Sequence, residues 1–454
     1  MSANLTADYL QSLLDELRER HNVTGATLGV LQGGEIATAA SGLLNMETRV
    51  EATPDSVFQI GSIGKVFTTT LIMQLADEGR LSLDDKVIAH LKDFTLAETK
   101  AARSVTIRQT LNHTSGMDGD FFPADDPEGP STLSYVRKMA LLPSLYPPGE
   151  GPMAYCNSGF VVAGRIVEVL TGLPWQTAVL ERICKPLGLS HVVAYPHETL
   201  RYRCAIGHIA DPKDMTKIRM APHTFLSLSA AAAGAVLSMS VESVLKFAAV
   251  HMANGAYGDG KSLLSVQSAQ RMQTDITPIP LFSRVGMTHW GLGWFGCDGH
   301  GYRMVGHDGA TFGQFAYLRT FPDKNIAFAL FTNSPSAKLY DAIEAQLMDA
   351  LLGTPVAPQP PQQSWTPDPA LYVGRYANIG AIYDVSEKDG ALALCVKSKL
   401  GAPDVQGRLE PYREDVFALQ ALNTPADGQK ISFHEGTGPR IFIRIGLRMG
   451  RRTQ

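Results

Sequence analysis

The sequence predicts a mixed α/β (α+β) domain with strands at both of its ends, followed by a small all-β domain. Three observations carry this. Strand-like runs occur near residue 30 and again between residues 302 and 333, whereas the stretch between them has helical periodicity. Residues 354–364 are rich in Pro and Gln and read as a semi-extended linker, since such a segment packs neither as a helix nor as a central strand. Beyond it come short apolar runs separated by turn residues. At 454 residues the chain also exceeds what one core usually supports. The expected divisions are 1–353, 354–364 and 365–454.

In chain order, residues 7–21 read as an amphipathic helix. Residues 26–31 and 35–42 read as two strands joined at Gln32-Gly33-Gly34, a hairpin signal. From Ser62 to Gly79 the apolar residues Val66, Phe67, Leu71, Ile72 and Leu75 recur at helical spacing, and Gly79 stands where a helix stop belongs. The middle of the chain carries further helical patterns broken by Pro- and Gly-rich loops. Residues 310–320 and 326–332 read as strands joined at Pro322-Asp323-Lys324-Asn325, and 339–352 as a helix. In the last segment four strand-like runs stand out, at 372–376, 392–396, 416–419 and 441–444.

Bulk composition removes several function classes. With 44% hydrophobic and 19% charged residues the chain has an ordinary globular composition. A net charge of -4 predicts neither a nucleic-acid partner nor an anionic membrane surface. No apolar run reaches the roughly 18 residues of a membrane span. The start lacks the basic residues and apolar run of a secretory signal, so the sequence predicts a cytoplasmic protein, although a leaderless exported form would read the same. Five widely spaced cysteines without a C-x-x-C pair argue against a disulfide scaffold and a structural zinc. Without H-E-x-x-H or clustered acidic and imidazole ligands, no metal or other cofactor is expected.

The chemistry centres on Ser62-Ile63-Gly64-Lys65. Residues three apart share a helix face, so the Lys65 side chain can reach the Ser62 hydroxyl. A serine hydroxyl needs a nearby base to become a nucleophile, and Lys65 can supply or relay it. Taken alone the tetrad is weak. It gains weight from Tyr155-Cys156-Asn157 and His307-Asp308-Gly309, which follow in the order S-x-x-K, Y-x-N, H-x-G.

In that order, and with Leu111 to Gly116, Pro148-Gly149, Pro186 to Leu189 and Ala233-Gly234, the chain resembles the serine β-lactamase and penicillin-binding-protein superfamily. It is most similar to the class C, D-aminopeptidase and esterase branch, a peptidase S12-like group, over residues 10–350. The resemblance implies a β-lactamase-like transpeptidase fold, an antiparallel sheet flanked by helices plus an all-helical region, followed by a lipocalin-like barrel. It implies Ser62 as nucleophile, with Lys65 and Tyr155 jointly handling the proton. The Tyr155 phenol acts as base only if a neighbouring cation, Lys65, lowers its pKa. Asn157 is expected to hold Lys65 or the substrate amide. The oxyanion hole falls to the backbone N–H groups of Ser62 and Ala310, the latter on an edge strand, with Gly309 allowing close approach. His113 is expected to be structural. Cys156 is expected to be a small buried residue whose thiol, when modified by bulky reagents, blocks the site.

One departure stands out. Where many β-lactamases and transpeptidases have lysine opening the third motif, this chain has His307, which is mostly neutral at pH 7. Weak activity on β-lactams and a preference for peptide, amide or ester substrates follow. Hydrolysis through an acyl-Ser62 intermediate is the leading expectation. Acyl transfer from the same intermediate, or a non-catalytic peptide-binding sensor, are the alternatives. The C-terminal segment is expected to be either a lid over the site or a stabilising, homodimer-forming appendage. Arg444, Arg448, Arg451 and Arg452 are expected to form a solvated tail.

Overall fold

The structure, a computed structural model, describes residues 5–126, 129–211, 214–279, 286–297, 301–353, 365–399, 404–421, 426–436 and 438–453. The Pro/Gln linker at 354–364 lies outside these residues. Helix α1 (Ala7–Arg20) begins at Thr6, whose hydroxyl accepts from the Tyr9 N–H, and buries Leu10, Leu14 and Leu17. Strands β1 (Gly25–Gln32) and β2 (Glu35–Asn45) form the expected hairpin. Its turn needs left-handed backbone at Gly33 and Gly34, where φ is 61° and 92°.

Among the described residues, nine strands share one antiparallel sheet. The others are β3 (Val50–Glu51), β4 (Thr277–Pro278), β5 (His289–Trp290), β6 (Phe295–Cys297), β7 (Met304–Ala310), β8 (Phe315–Phe321) and β9 (Ile326–Thr332). Their order is β4-β5-β6-β7-β8-β9-β1-β2-β3, so β9 pairs with β1 across nearly the whole domain, Leu28 opposite Leu330. Alternation splits β9 between two cores. Phe328 and Leu330 face α1 and helix α4 (Ala337–Leu352), whereas Ala327, Ala329 and Phe331 join the larger core on the other side. That larger core holds helices α2 (Gly64–Asp77) and α3 (Asn157–Thr171).

The run 310–320, read from sequence as one strand, is two. The chain reverses at 311–314, where the Thr311 N–H donates to the Gln314 carbonyl and Gly313 takes a φ of 72°. Strand-favouring residues on both sides of this turn, with a single glycine between them, hide it from the sequence reading.

The last segment forms a closed barrel of eight strands, each paired with the next. They are β10 (Gly374–Ala377), β11 (Ala381–Lys388), β12 (Ala391–Ser398), β13 (Val405–Arg413), β14 (Val416–Gln420), β15 (Lys430–His434), β16 (Phe442–Ile445) and β17 (Arg448–Arg452). Tyr376 opposite Arg452 closes the ring and removes the free edges. Its interior is packed with Tyr376, Phe417, Phe433 and Ile443. Four of these strands escape the sequence reading because their partly exposed faces carry charged residues.

The barrel is docked on the first domain by polar and apolar contacts together. Phe442 and Met449 pack with Leu145, Tyr146 and Ala154. The Tyr155 N–H donates to the Leu447 carbonyl at 3.1 Å, and the Ile379 N–H to Asp118 Oδ2 at 2.6 Å. Arg444 is buried and donates to the Met153 carbonyl, and Arg448 pairs with Asp120. These two arginines are therefore not a solvated tail; they are seam residues, brought inward by the β16–β17 hairpin. Arg452 also turns inward, donating to carbonyls of its own barrel, and Arg451 stays exposed.

Burial pushes the Asp118 carboxyl up to about 6. The folded protein then holds a proton that the unfolded chain releases at lower pH, so this group's contribution falls as pH rises from about 4 through 6. Asp118→Asn keeps an acceptor for Ile379 and is expected to raise stability near pH 8 by up to about 3 kcal/mol, with no gain below about pH 4. Thermal unfolding at both pH values measures this; an equal effect at both contradicts it.

Candidate active site

Ser62 sits in a 3-10 turn, Gly61–Ile63, that runs directly into α2. Lys65 lies in the first turn of α2, and its Nζ is 2.9 Å from Ser62 Oγ and 2.6 Å from the Ala233 carbonyl oxygen. Its side chain is fully buried and, among the described residues, forms no ion pair. Burial therefore lowers the Lys65 pKa well below the ordinary lysine range, with Arg448 adding to the effect.

Tyr155 immediately precedes the Cys156 cap of α3, and its hydroxyl hydrogen-bonds Ser62. The His113 ring stacks on it at 4.2 Å, Trp290 meets it edge-on at 5.4 Å, and the Arg448 guanidinium lies 4.7 Å from its centroid. Burial raises the phenol pKa, against the expectation that Lys65 lowers it; the Ser62 hydrogen bond offsets only part. A lysine whose own pKa burial lowers in this way is a weaker source of positive charge for the phenol. Tyr155 is thus held as a protonated phenol.

Asn157 opens α3, but its Nδ2 donates to Asp120 Oδ1 at 3.2 Å rather than to Lys65. The other Asp120 oxygen accepts from Arg448 Nε. Cys156 is buried as expected, yet its sulfur caps α3 by accepting from the Gly159 N–H at 3.3 Å. Its thiol is pushed up to about 11 by burial, which argues against the expected blockade by thiol reagents. His113 has the structural role read for it. Held at φ 60°, it accepts the Cys156 N–H on Nδ1 at 2.9 Å and supports the Tyr155 ring from below.

The third motif lies on β7. His307 is buried, and burial followed by the proximity of Lys65 brings its pKa down to about 3, so it is neutral. Its Nδ1–H donates to the Asp308 carbonyl at 2.7 Å. Asp308 in turn accepts from the buried Arg319 at 2.5 and 3.2 Å, and Glu344 lies 3.6 Å from the same guanidinium. Strand β7 is not an edge strand: it runs between β6 and β8. Its pairing with β6 stops at Gly306, however, which leaves positions 307–310 open on that side. Gly309 is required for a backbone reason, since a Cβ there would overlap the Ile60 carbonyl oxygen. A Cβ on Gly61 would lie 2.5 Å from the Ala310 nitrogen, so the Ser62 turn and the Ala310 backbone are in direct apposition.

A cavity of about 370 Å3 collects these groups: Ser62, Tyr155, Asn157, His307, Gly309 and Ala310 line it, with Lys65 beneath. Trp290 and Phe315 supply apolar wall, and the barrel contributes Leu447 and Arg448. Sequence reasoning missed Asp120, Ala233, Arg319 and Arg448. Arg448 is 328 residues from its partner Asp120, and no linear spacing signals that pairing. No metal-ligating cluster of His, Cys, Asp and Glu occurs among the described residues.

Comparison with known proteins agrees with this arrangement. The Beta-lactamase family model matches residues 10–352. Penicillin-binding protein 4 of Amycolatopsis lactamdurans is 38% identical over 378 residues, 82% of this chain and 97% of that protein. The crystal structure of SurE superposes with a TM-score of 0.80 at 29% identity, covering 98% and 99% of the two chains; SurE has also been solved with D-Leu. A D-amino acid amidase from Ochrobactrum anthropi SV3 matches with a TM-score of 0.61 at 23% identity, over 74% of this chain and 98% of that one.

Gly309→Ala is expected to lower stability by about 1–3 kcal/mol, because two backbones must separate to admit one methyl group. Calorimetry measures it, and an unchanged melting temperature contradicts the backbone argument.

Proposed function

We propose, from the premise that this chain belongs to the Beta-lactamase family and is a serine hydrolase, that it cleaves amide, peptide or ester bonds through an acyl-Ser62 intermediate. The observation that carries the reading is the buried Lys65 amine, 2.9 Å from Ser62 Oγ and without an ion-pair partner among the described residues. An uncharged amine has a lone pair, so Lys65 accepts the hydroxyl proton as Ser62 Oγ attacks the carbonyl carbon. The developing oxyanion takes the N–H groups of Ser62 and Ala310; losing one such donor costs about 3–4 kcal/mol in a transition state.

Collapse of the tetrahedral intermediate breaks the bond to the leaving nitrogen or oxygen. That atom takes the Tyr155 hydroxyl proton, and the phenolate left behind recovers a proton from the Lys65 ammonium, whose Nζ lies 4.9 Å from the Tyr155 ring centroid. Water then attacks the ester carbon along the same route, releasing the acid and restoring Ser62. Asn157, held by Asp120, faces the cavity to orient the substrate amide. Because His307 is neutral, the third motif offers no cation to a β-lactam carboxylate, and β-lactams are weak substrates. The D-Leu bound in SurE makes D-residues the first to test. The absence of a disulfide among the described cysteines supports a reducing, cytoplasmic setting, and no helix among the described residues is long and apolar enough to cross a membrane.

Intact mass spectrometry after exposure to D- and L-amino acid amides, peptides, p-nitrophenyl esters and β-lactams tests the reading. An acyl adduct that disappears in Ser62→Ala is expected. Lys65→Met is expected to slow acylation by at least about a thousandfold, and Tyr155→Phe by about a hundredfold with amides. Adducts that persist in Ser62→Ala contradict it.

A further inference from the structure

Charge around the Ser62 cavity is distributed unevenly. Both acids near it are engaged: Asp308 by Arg319, and Asp120 by Asn157 and Arg448. Lys65 is turned to Ser62 and Ala233, and His307 is neutral. Arg448 differs from all of these. Among the described residues its hydrogen bonding is limited to Nε on Asp120, so both terminal amino groups lack a protein partner. Its side chain lines the cavity and stays 35% accessible. A guanidinium with one donor used and a planar edge unused is shaped for a second carboxylate.

The position of Arg448 specifies which part of a substrate it meets. It lies over the ring of Tyr155, 4.7 Å from the centroid. In the acyl-Ser62 reading, on which this inference rests, Tyr155 delivers the leaving-group proton. One residue spans about 3.3–3.6 Å along an extended chain. A guanidinium seated over the residue that protonates the leaving group, on the wall of the same cavity, is within about one residue's reach of that group. We propose that Arg448, supplied by the barrel, binds the free C-terminal carboxylate of the residue that leaves, making this chain selective for substrates whose last residue is released as a free amino acid. The cation missing from the third motif is in this way replaced from a different domain. An amino terminus has no such site among the described residues, where Asp308 and Asp120 are both engaged.

Matched substrates test this: acetyl-Phe-Ala and acetyl-Phe-Ala amide, in all four D/L combinations. For the best pair, kcat/KM is expected to favour the acid by about thirtyfold, with Arg448→Gln bringing the ratio close to one and Arg448→Lys keeping part of it. A wild-type preference for the amide, or a ratio unmoved in Arg448→Gln, overturns the assignment. Should Arg448→Gln fail to fold, or neither peptide be cleaved, the wild-type protein decides. Alanine is then expected to inhibit p-nitrophenyl ester turnover at least about tenfold better than alaninamide, and equal inhibition overturns the assignment. Acylation of Ser62 by the ester with no discrimination between acid and amide overturns the Arg448 assignment alone. Absence of any acyl-Ser62 overturns the hydrolase reading with it.

Discussion

The amine of Lys65, sealed in the core with a hydroxyl and a carbonyl for company and, among the described residues, no ion-paired carboxylate, is the constraint around which the site is arranged. Charging an amine in such a place carries a cost of several kcal/mol, which lowers its pKa well below the ordinary lysine range and favours the uncharged form. A neutral amine is a base, and it cannot lower the pKa of the neighbouring phenol. Both conclusions follow from one desolvated nitrogen. They divide between Lys65 and Tyr155 the proton traffic that the motif alone assigns to the two jointly. The neutrality of His307 belongs to the same logic, since burial in that dry pocket disfavours a charged imidazole as it does a charged amine.

Sealing the amine requires three stretches of backbone to meet. The Ser62 turn is pressed between Ala233-Gly234 and Gly309-Ala310, and at Gly61, Gly234 and Gly309 a side chain would collide with the backbone opposite. These contacts deliver the Ala233 carbonyl to Lys65 and the Ala310 backbone to Ser62. Farther out, the buried Arg319 ties Asp308 on β7 to Glu344 on α4, which couples the third motif to the helix closing the domain. The barrel completes the arrangement. Its β16–β17 hairpin supplies a carbonyl to Tyr155 and a guanidinium to the cavity, and its position on the seam supports the role of a wall over the site.

Much of this was legible in the sequence, for a physical reason. Ser62 and Lys65 share a helix face, so three residues of spacing encode their contact, and the flanking apolar period encodes α2. The β1–β2 hairpin was legible from Gly33 and Gly34. The sheet pairing of β1 with β9 was legible only as strands at both ends. What escaped has no local signature. The turn at 311–314 sits between strand-favouring residues and carries a single glycine as its mark. The Asn157–Asp120–Arg448 chain links residues from two domains, and arginines near a chain end look the same whether solvated or folded inward. The pKa of Tyr155 depends on how dry its pocket is, which no spacing reports.

The protonation state of Lys65 is the most direct test of the account. In protein carrying 13C at the lysine ε-carbon, with the Lys65 signal assigned from Lys65→Arg, the resonance can be followed against pH in the resting enzyme. The account predicts the shift of a neutral amine already at pH 7, apart from the other lysines, which titrate near 10.4. A Lys65 signal that remains that of an ammonium until pH 10 would contradict it.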